Sequence, residues 1–219
     1  MKISKINFIC QMDVKKLLEN YDLNNLTIAA LGGHSALEVC LGAKKQGFRT
    51  CVVAKEGREQ TYNKYLKSNG EAGCVDEIIL VKEFSDILDS EIQEKLRERN
   101  ALFVHSRYFW VYFDDFAKVE QEFNVPILGT RELLRLEERD QKPNQYDVLQ
   151  EAGIRIPKIF KTSKEIDRLT ITKVNNATRT YERENFLAAI AHDWQQAADE
   201  KLKSGKITKE ALGKAVIEE

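Results

Sequence analysis

The segment Leu26-Thr-Ile-Ala-Ala-Leu31-Gly32-Gly33-His34-Ser35 constrains the fold more than any other part of the chain. Its first six residues form a short, continuous apolar run without a helical stripe, the composition of a strand buried on both faces. The run stops at two glycines, and a helical pattern follows at once. Ala36, Leu37, Val39, Cys40, Leu41 and Ala43 supply its buried face and Gly47 closes it. Thr50-Cys-Val-Val-Ala54 is a second short apolar run. Strand, glycine turn, helix, glycine, strand is a βαβ unit, which demands parallel pairing and a right-handed crossover.

The pattern repeats downstream. Glu77 to Val81 reads as a strand, Ser85 to Arg99 as an amphipathic helix carrying Ile87, Leu88, Ile92 and Leu96, and Ala101 to Val104 as the next strand. Tyr112 to Phe123 reads as helix, Val125 to Gly129 as a short strand, and Arg131 to Arg139 as a charged helix. The texture then changes. A helix at Gln145–Glu151 precedes the alternating strand Leu169–Lys173 and the polar, exposed stretch Asn175–Glu184. Phe186 to Leu202 and Thr208 to Lys214 read as helices, and Ala215 to Glu219 as the beginning of a strand. The expectation is an α/β chain, with an open parallel, Rossmann-like sheet in residues 1–125 and a smaller α+β domain in 126–219.

Charge and composition exclude several classes. Lys+Arg 34 against Asp+Glu 35 leaves a net charge of −1, so bulk charge argues for neither nucleic acid nor a membrane surface. No apolar run approaches the roughly 18 residues of a spanning helix. MKISKINFICQ lacks the apolar core of a secretory signal, so a soluble, cytoplasmic protein is expected. Cys10, Cys40, Cys51 and Cys74 have no metal spacing, and Cys40 and Cys51 sit in apolar runs as small core side chains. No metal site is expected, and Glu137, Glu138 and Asp140 read as a charged helix face.

Two polar clusters carry the candidate chemistry. Gly33, His34 and Ser35 follow the first strand, where a helix N-terminus offers N–H groups to phosphate, Ser35 can cap and His34 can donate to an anion. A plain tight turn bearing a surface histidine satisfies the same residues. His105-Ser106-Arg107-Tyr108 follows a later strand in the same way, as a polar ligand cluster or a solvated loop. His192 reads as structural or solvent-facing, and no GxSxG elbow supports a hydrolase.

Taken together, LTIAALGGHSALEVCLGAKKQGFRTCVV, VPILGTRELLRLEER and EAGIRIPK resemble one family. It is the archaeal formate-dependent synthetase of formylaminoimidazole carboxamide ribotide, the PurP type, within the ATP-grasp superfamily. The resemblance runs from about residue 14 to the last residue, and its most specific pieces are the first βα unit with His34 and Leu128-Gly129-Thr130-Arg131 leading to Arg135 and Glu138. It implies an ADP-forming ligation in purine (IMP) biosynthesis, with ATP and magnesium as cofactors. ATP phosphorylates formate, the ribotide amine attacks the formyl carbon, and phosphate leaves. By resemblance Gly33, His34, Ser35, Ser106 and Tyr108 contact the ribotide. Lys173, Arg179, Arg183, Glu218 and Glu219 contact ATP, the two glutamates opening the hinge strand beside the adenine.

The departures from the family pattern shape a second expectation. The loop after Lys173 has no glycine, Asp147 stands where the family has a lysine, and HSRYF replaces PHGSF. The family's magnesium ligands lie past the span of these residues. The chain alone is therefore expected not to turn over, serving as a ligase part completed by another half or as a non-catalytic ribotide binder acting with a full-length synthetase. Apolar surface around Ile171, Phe186 and Ile217 is expected to drive self-association or binding of that partner.

Overall fold

A computed structural model of the chain describes residues 14–70, 72–106, 116–129, 131, 136, 142–174 and 184–219. The expected helix at 131–139, the loop 175–184 and the start of the helix at 112 fall wholly or largely outside those residues. Two compact units are present, Met1–Leu134 and Arg135–Glu219.

The first unit is a four-stranded, all-parallel sheet of β1 (Thr27–Leu31), β2 (Arg49–Lys55), β3 (Glu77–Val81) and β4 (Ala101–Val104), in the order β3-β2-β1-β4. Helix α1 (Val14–Leu18) precedes it, and α2 (Ala36–Lys45) makes the crossover from β1 to β2. The continuous apolar runs are explained by burial on both faces. Ala29, Leu31, Cys51, Val53, Ile79 and Val81 face one layer, with Phe84, Ile87, Ile92, Leu96 and Phe123. Ala30, Val52 and Ala54 face the other, with Ala36, Cys40, Tyr62 and Val75. Each fully buried large apolar side chain contributes about 2 kcal/mol, so these two layers are the main stabilising term of the unit. Burial pushes the Cys40 and Cys51 thiols up to about 12, as inert core groups.

The helix expected at Ser85–Arg99 is two elements, a 3-10 turn Phe84–Leu88 and helix α3 (Ser90–Glu98), broken at Asp89, whose backbone is extended. Asn100 then takes a left-handed turn (φ 55°), and its side chain bonds the backbone of Asp22 and Asn25, which sets the entry to β4. After helix α4 (Phe116–Glu122), the strand expected at Val125–Gly129 reduces to a single parallel bridge between Ile127 and Phe103. Pro126 has no N–H to extend that ladder.

The second unit holds helix α5 (Gln145–Glu151) and an antiparallel sheet of β5 (Ile159–Phe160), β6 (Thr170–Lys173), β7 (Phe186–Ala188) and β8 (Val216–Glu218), ordered β5-β8-β6-β7. The helix expected over Phe186–Leu202 is a strand followed by α6 (Ala191–Lys203), because Phe186 and Ala188 alternate into the core on β7. Helix α7 (Lys209–Gly213) follows, with Thr208 capping it through Ala211 N–H. The last segment does not stop short. β8 pairs with both β5 and β6 in the middle of the sheet.

One face of this sheet packs under α6. Phe160, Thr170, Thr172, Phe186, Ala188 and Ile217 are buried there, Trp194 donates its indole N–H to Thr172 Oγ1 at 2.8 Å, and its ring lies 5.8 Å from that of Phe186. The expected exposure of Phe186 and Ile217 is thus wrong. It is Leu169 and Leu187 that lie open, while Ile171 is half-buried.

Candidate functional site

In the first unit the two polar clusters come out at neighbouring places. β1 and β4 are adjacent and parallel, so the residues after each leave the sheet at the same, carboxyl edge. The crossovers run to opposite sides here, β1 toward β2 and β4 beyond it, which makes this the switch point where open α/β sheets collect ligands. His34 and Ser35 are exposed there, Gly33 is half-exposed, and His105 and Ser106 are half-buried beside them in sheet order. Tyr108 lies outside the described residues.

The close approach of backbone at this edge depends on Gly32. Its N–H bonds the Val53 carbonyl at 2.7 Å, and a Cβ there would stand 3.0 Å from that oxygen and 3.1 Å from the Tyr62 ring. Ser35 occupies the N-cap position of α2 but its side chain makes no capping bond, unlike the role expected of it. Gly129 takes a positive φ of 102°, and a Cβ at that position would be 3.8 Å from His105 Nε2, so the chain after the Ile127 bridge returns to the same edge. Arg131 donates to the Phe123 carbonyl at 2.6 Å and the Val125 carbonyl at 2.9 Å, tying that return to the end of α4.

In the second unit the sheet face opposite α6 carries Lys173 and Glu218. Lys173 pairs in register with Val216 and Ile171 pairs with Glu218, so Lys173 and Glu218 are diagonal neighbours on one face. Their side chains form an ion pair, and Glu218 is only 2% exposed. The Tyr146 hydroxyl on α5 donates to the other oxygen of Glu218. Ile159, Ile171 and Leu187 extend the same cross-strand row as an apolar surface. Glu219, expected with Glu218 at the opening of the hinge strand, is exposed, with its carboxylate 3.5 Å from Arg168. Arg179 and Arg183 lie outside the described residues.

Tyr146 is a site residue that no sequence signal singles out, because 72 positions separate it from Glu218. Asp147, beside it, is committed locally. It accepts from the Asn144 N–H in a capping box and pairs with Lys142 at 3.0 Å. The Asn144 N–H holds its carboxyl below the usual range, and the Lys142 ammonium adds to that. Among the described residues no three His, Cys, Asp or Glu side chains converge as metal ligands, and no helix is long and apolar enough to cross a membrane.

A four-stranded parallel sheet followed by a four-stranded antiparallel sheet gives the chain an α/β architecture. The same fold is found in the crystal structure of N5-carboxyaminoimidazole ribonucleotide synthetase from Thermotoga maritima, at a TM-score of 0.51 and 18% identity over 89% of this chain and 45% of that one. A family model described as a protein of unknown function, DUF1246, matches residues 28–160, and the chain belongs to that family. It is homologous to the N-terminal portion of 5-formaminoimidazole-4-carboxamide-1-(beta)-D-ribofuranosyl 5'-monophosphate synthetases. The Methanopyrus kandleri protein is 38% identical over 207 residues, which are 94% of this chain and 54% of that relative. The Methanothermobacter thermautotrophicus protein is 35% identical over 218 residues, 99% of this chain and 56% of the relative. The chain thus spans about half the length of these curated relatives.

Proposed function

We propose that the first unit binds 5-aminoimidazole-4-carboxamide ribotide and that the second supplies nucleotide contacts for its ATP-dependent formylation in cytoplasmic purine biosynthesis. The observation that carries this reading is the convergence of the His34–Ser35 turn and the His105–Ser106 segment at the β1/β4 switch point. Two imidazoles, a serine pair and the N-terminal end of α2 suit a phosphorylated polar ligand. In the second unit Lys173 is a cation for a nucleotide phosphate, and Ile171 with Leu187 offers a flat apolar surface for a base. The described residues fit a nucleotide in that limited sense. They offer no acidic cluster for a divalent ion, so no step is routed through magnesium.

In the proposed reaction formate oxygen attacks the γ-phosphorus of ATP and ADP leaves. The ribotide amine then attacks the formyl carbon and phosphate departs. What these residues contribute is positioning, the ribotide being held so that its amine faces the formyl carbon.

The test is calorimetric titration of the purified chain. The ribotide binds, and His34→Ala weakens binding about tenfold, the size of one hydrogen bond to a charged group. Failure of the wild-type chain to bind the ribotide overturns the reading. A second reading, a ribotide binder that acts with a full-length synthetase without catalysing, is favoured by Asp147. The capping box gives that residue a structural occupation, and its charge repels phosphate. Ribotide binding with no binding of Mg·ATP in a parallel titration supports the second reading for the 219 residues on their own.

A further inference from the structure

The turn after β2 carries Glu59, a half-buried glutamate with one enclosed carboxylate oxygen. Glu59 Oε2 is buried and accepts no hydrogen bond, and among the described residues no cation is placed on it. A buried acceptor without a donor is costly, and native proteins keep such groups where a ligand completes them.

Glu59 sits near the sheet edge that carries the glycine turn. β2 is the neighbour of β1, and its carboxyl end lies at the same edge as the Gly32–Ser35 turn. The Glu59 carbonyl accepts the Tyr62 and Asn63 N–H groups at 3.0 and 2.8 Å, which starts the π-helical turn Thr61–Tyr65. Tyr62 in turn is the side chain that a Cβ on Gly32 would strike. Glu59 and the glycine turn therefore flank Tyr62, the first through its backbone carbonyl and the second against the ring. In dinucleotide-binding sheets with this strand order, the glycine turn after the first strand takes phosphate, and an acidic residue at the end of the second takes sugar hydroxyls. Glu59 lies 26 positions after Gly33, in the turn four residues past the end of β2 at Lys55, within a few residues of the spacing that arrangement uses.

We infer that Glu59 accepts hydrogen bonds from the vicinal ribose hydroxyls of a ribose 5′-phosphate ligand whose phosphate end sits at the β1–α2 turn. The inference rests on the reading of the first unit as a ribotide-binding domain. A carboxylate can only accept, so it selects hydroxyl donors and rejects a sugar without them.

The experiment is calorimetric titration of the chain and of Glu59→Gln with 5-aminoimidazole-4-carboxamide ribotide and its 2′,3′-dideoxy counterpart, alongside thermal unfolding of both proteins. The wild-type chain should bind the ribotide about tenfold or more tightly than the dideoxy compound. Glu59→Gln should lose that preference, with weaker ribotide binding and dideoxy binding unchanged. Its melting temperature should stay level, since Glu59 is half-buried and its enclosed oxygen accepts no hydrogen bond in the free chain. Retention of the preference by Glu59→Gln overturns the inference while leaving the ribotide reading standing. So does a fall in melting temperature with equal weakening toward both compounds, which marks a structural role. A wild-type chain that binds neither compound overturns both.

Discussion

Lys173 and Glu218 face each other diagonally across the β6–β8 ladder, and the carboxylate is almost fully enclosed. Sequence resemblance assigns both to nucleotide contact, yet in the free chain they contact one another. A ligand phosphate that draws Lys173 away leaves Glu218 with Tyr146, so nucleotide affinity is lowered by whatever the ion pair is worth. That worth is measurable. Lys173→Met should destabilise the chain by about 3 kcal/mol, because it strands a buried carboxylate. The double variant Lys173→Met/Glu218→Gln should recover most of that loss. Urea denaturation of the single and double variants gives the coupling, and strictly additive losses would refute the pairing.

The Tyr146 hydroxyl holds the second Glu218 oxygen from α5. Tyr146→Phe keeps the ring and removes one donor to a charged acceptor, so a loss of about 2 kcal/mol is expected. In a background that already carries Glu218→Gln, the same change should cost about 1 kcal/mol or less, since the acceptor is then neutral. Denaturation midpoints of the four proteins decide the matter.

The parallel half of the fold was legible because its signal is local. Continuous apolar runs broken by glycine at Gly32 and Gly47 fix strand, turn and helix within a few residues. The second half was legible in its elements and less so in its pairing. Phe186-Leu187-Ala188 has too few residues to separate period 2 from the start of the helix that follows, so tertiary burial of Phe186 and Ala188 decides for strand. The place of β8 at the sheet centre depends on partners at Ile159 and Ile171, far away in sequence. The site shows the same division. His34 and Ser35 announce themselves through the glycine turn, whereas Tyr146 and Glu59 matter only through what surrounds them in space.

Gly32 is required by contact and not by a left-handed backbone. A Cβ would meet the Val53 carbonyl oxygen at 3.0 Å and the Ala54 Cα at 3.2 Å, both on the neighbouring strand and unable to swing aside. Gly32→Ala should therefore cost about 2 kcal/mol, within the range for overpacking a tight site. It should also weaken ribotide binding, because separating β1 from β2 shifts the turn that carries His34. Gly42→Ala is the control, since nothing lies within 4 Å of its added methyl, and it should leave stability level or raised. Thermal melts and ribotide titrations of the two variants must part in this way.

Asp76 contributes to the response of the first unit to acid. Burial pushes its carboxyl up, but the Lys44 ammonium, the Thr50 N–H and the Thr50 hydroxyl together outweigh that and hold it below its ordinary value of 3.8. A carboxyl whose folded-state pKa is lowered contributes stability that is fully present above the unfolded value and vanishes as pH falls through the folded one. The wild-type chain should therefore exceed Asp76→Asn in stability by a constant margin at neutral pH. That margin should begin to shrink near pH 3.8 and be gone once Asp76 is protonated in the folded state. Asp147, lowered likewise, is common to both proteins and cancels in the difference. Urea unfolding of the pair between neutral pH and the acid range measures it, and a margin that grows toward acid would show that the Lys44–Asp76–Thr50 cluster does not hold the carboxylate form.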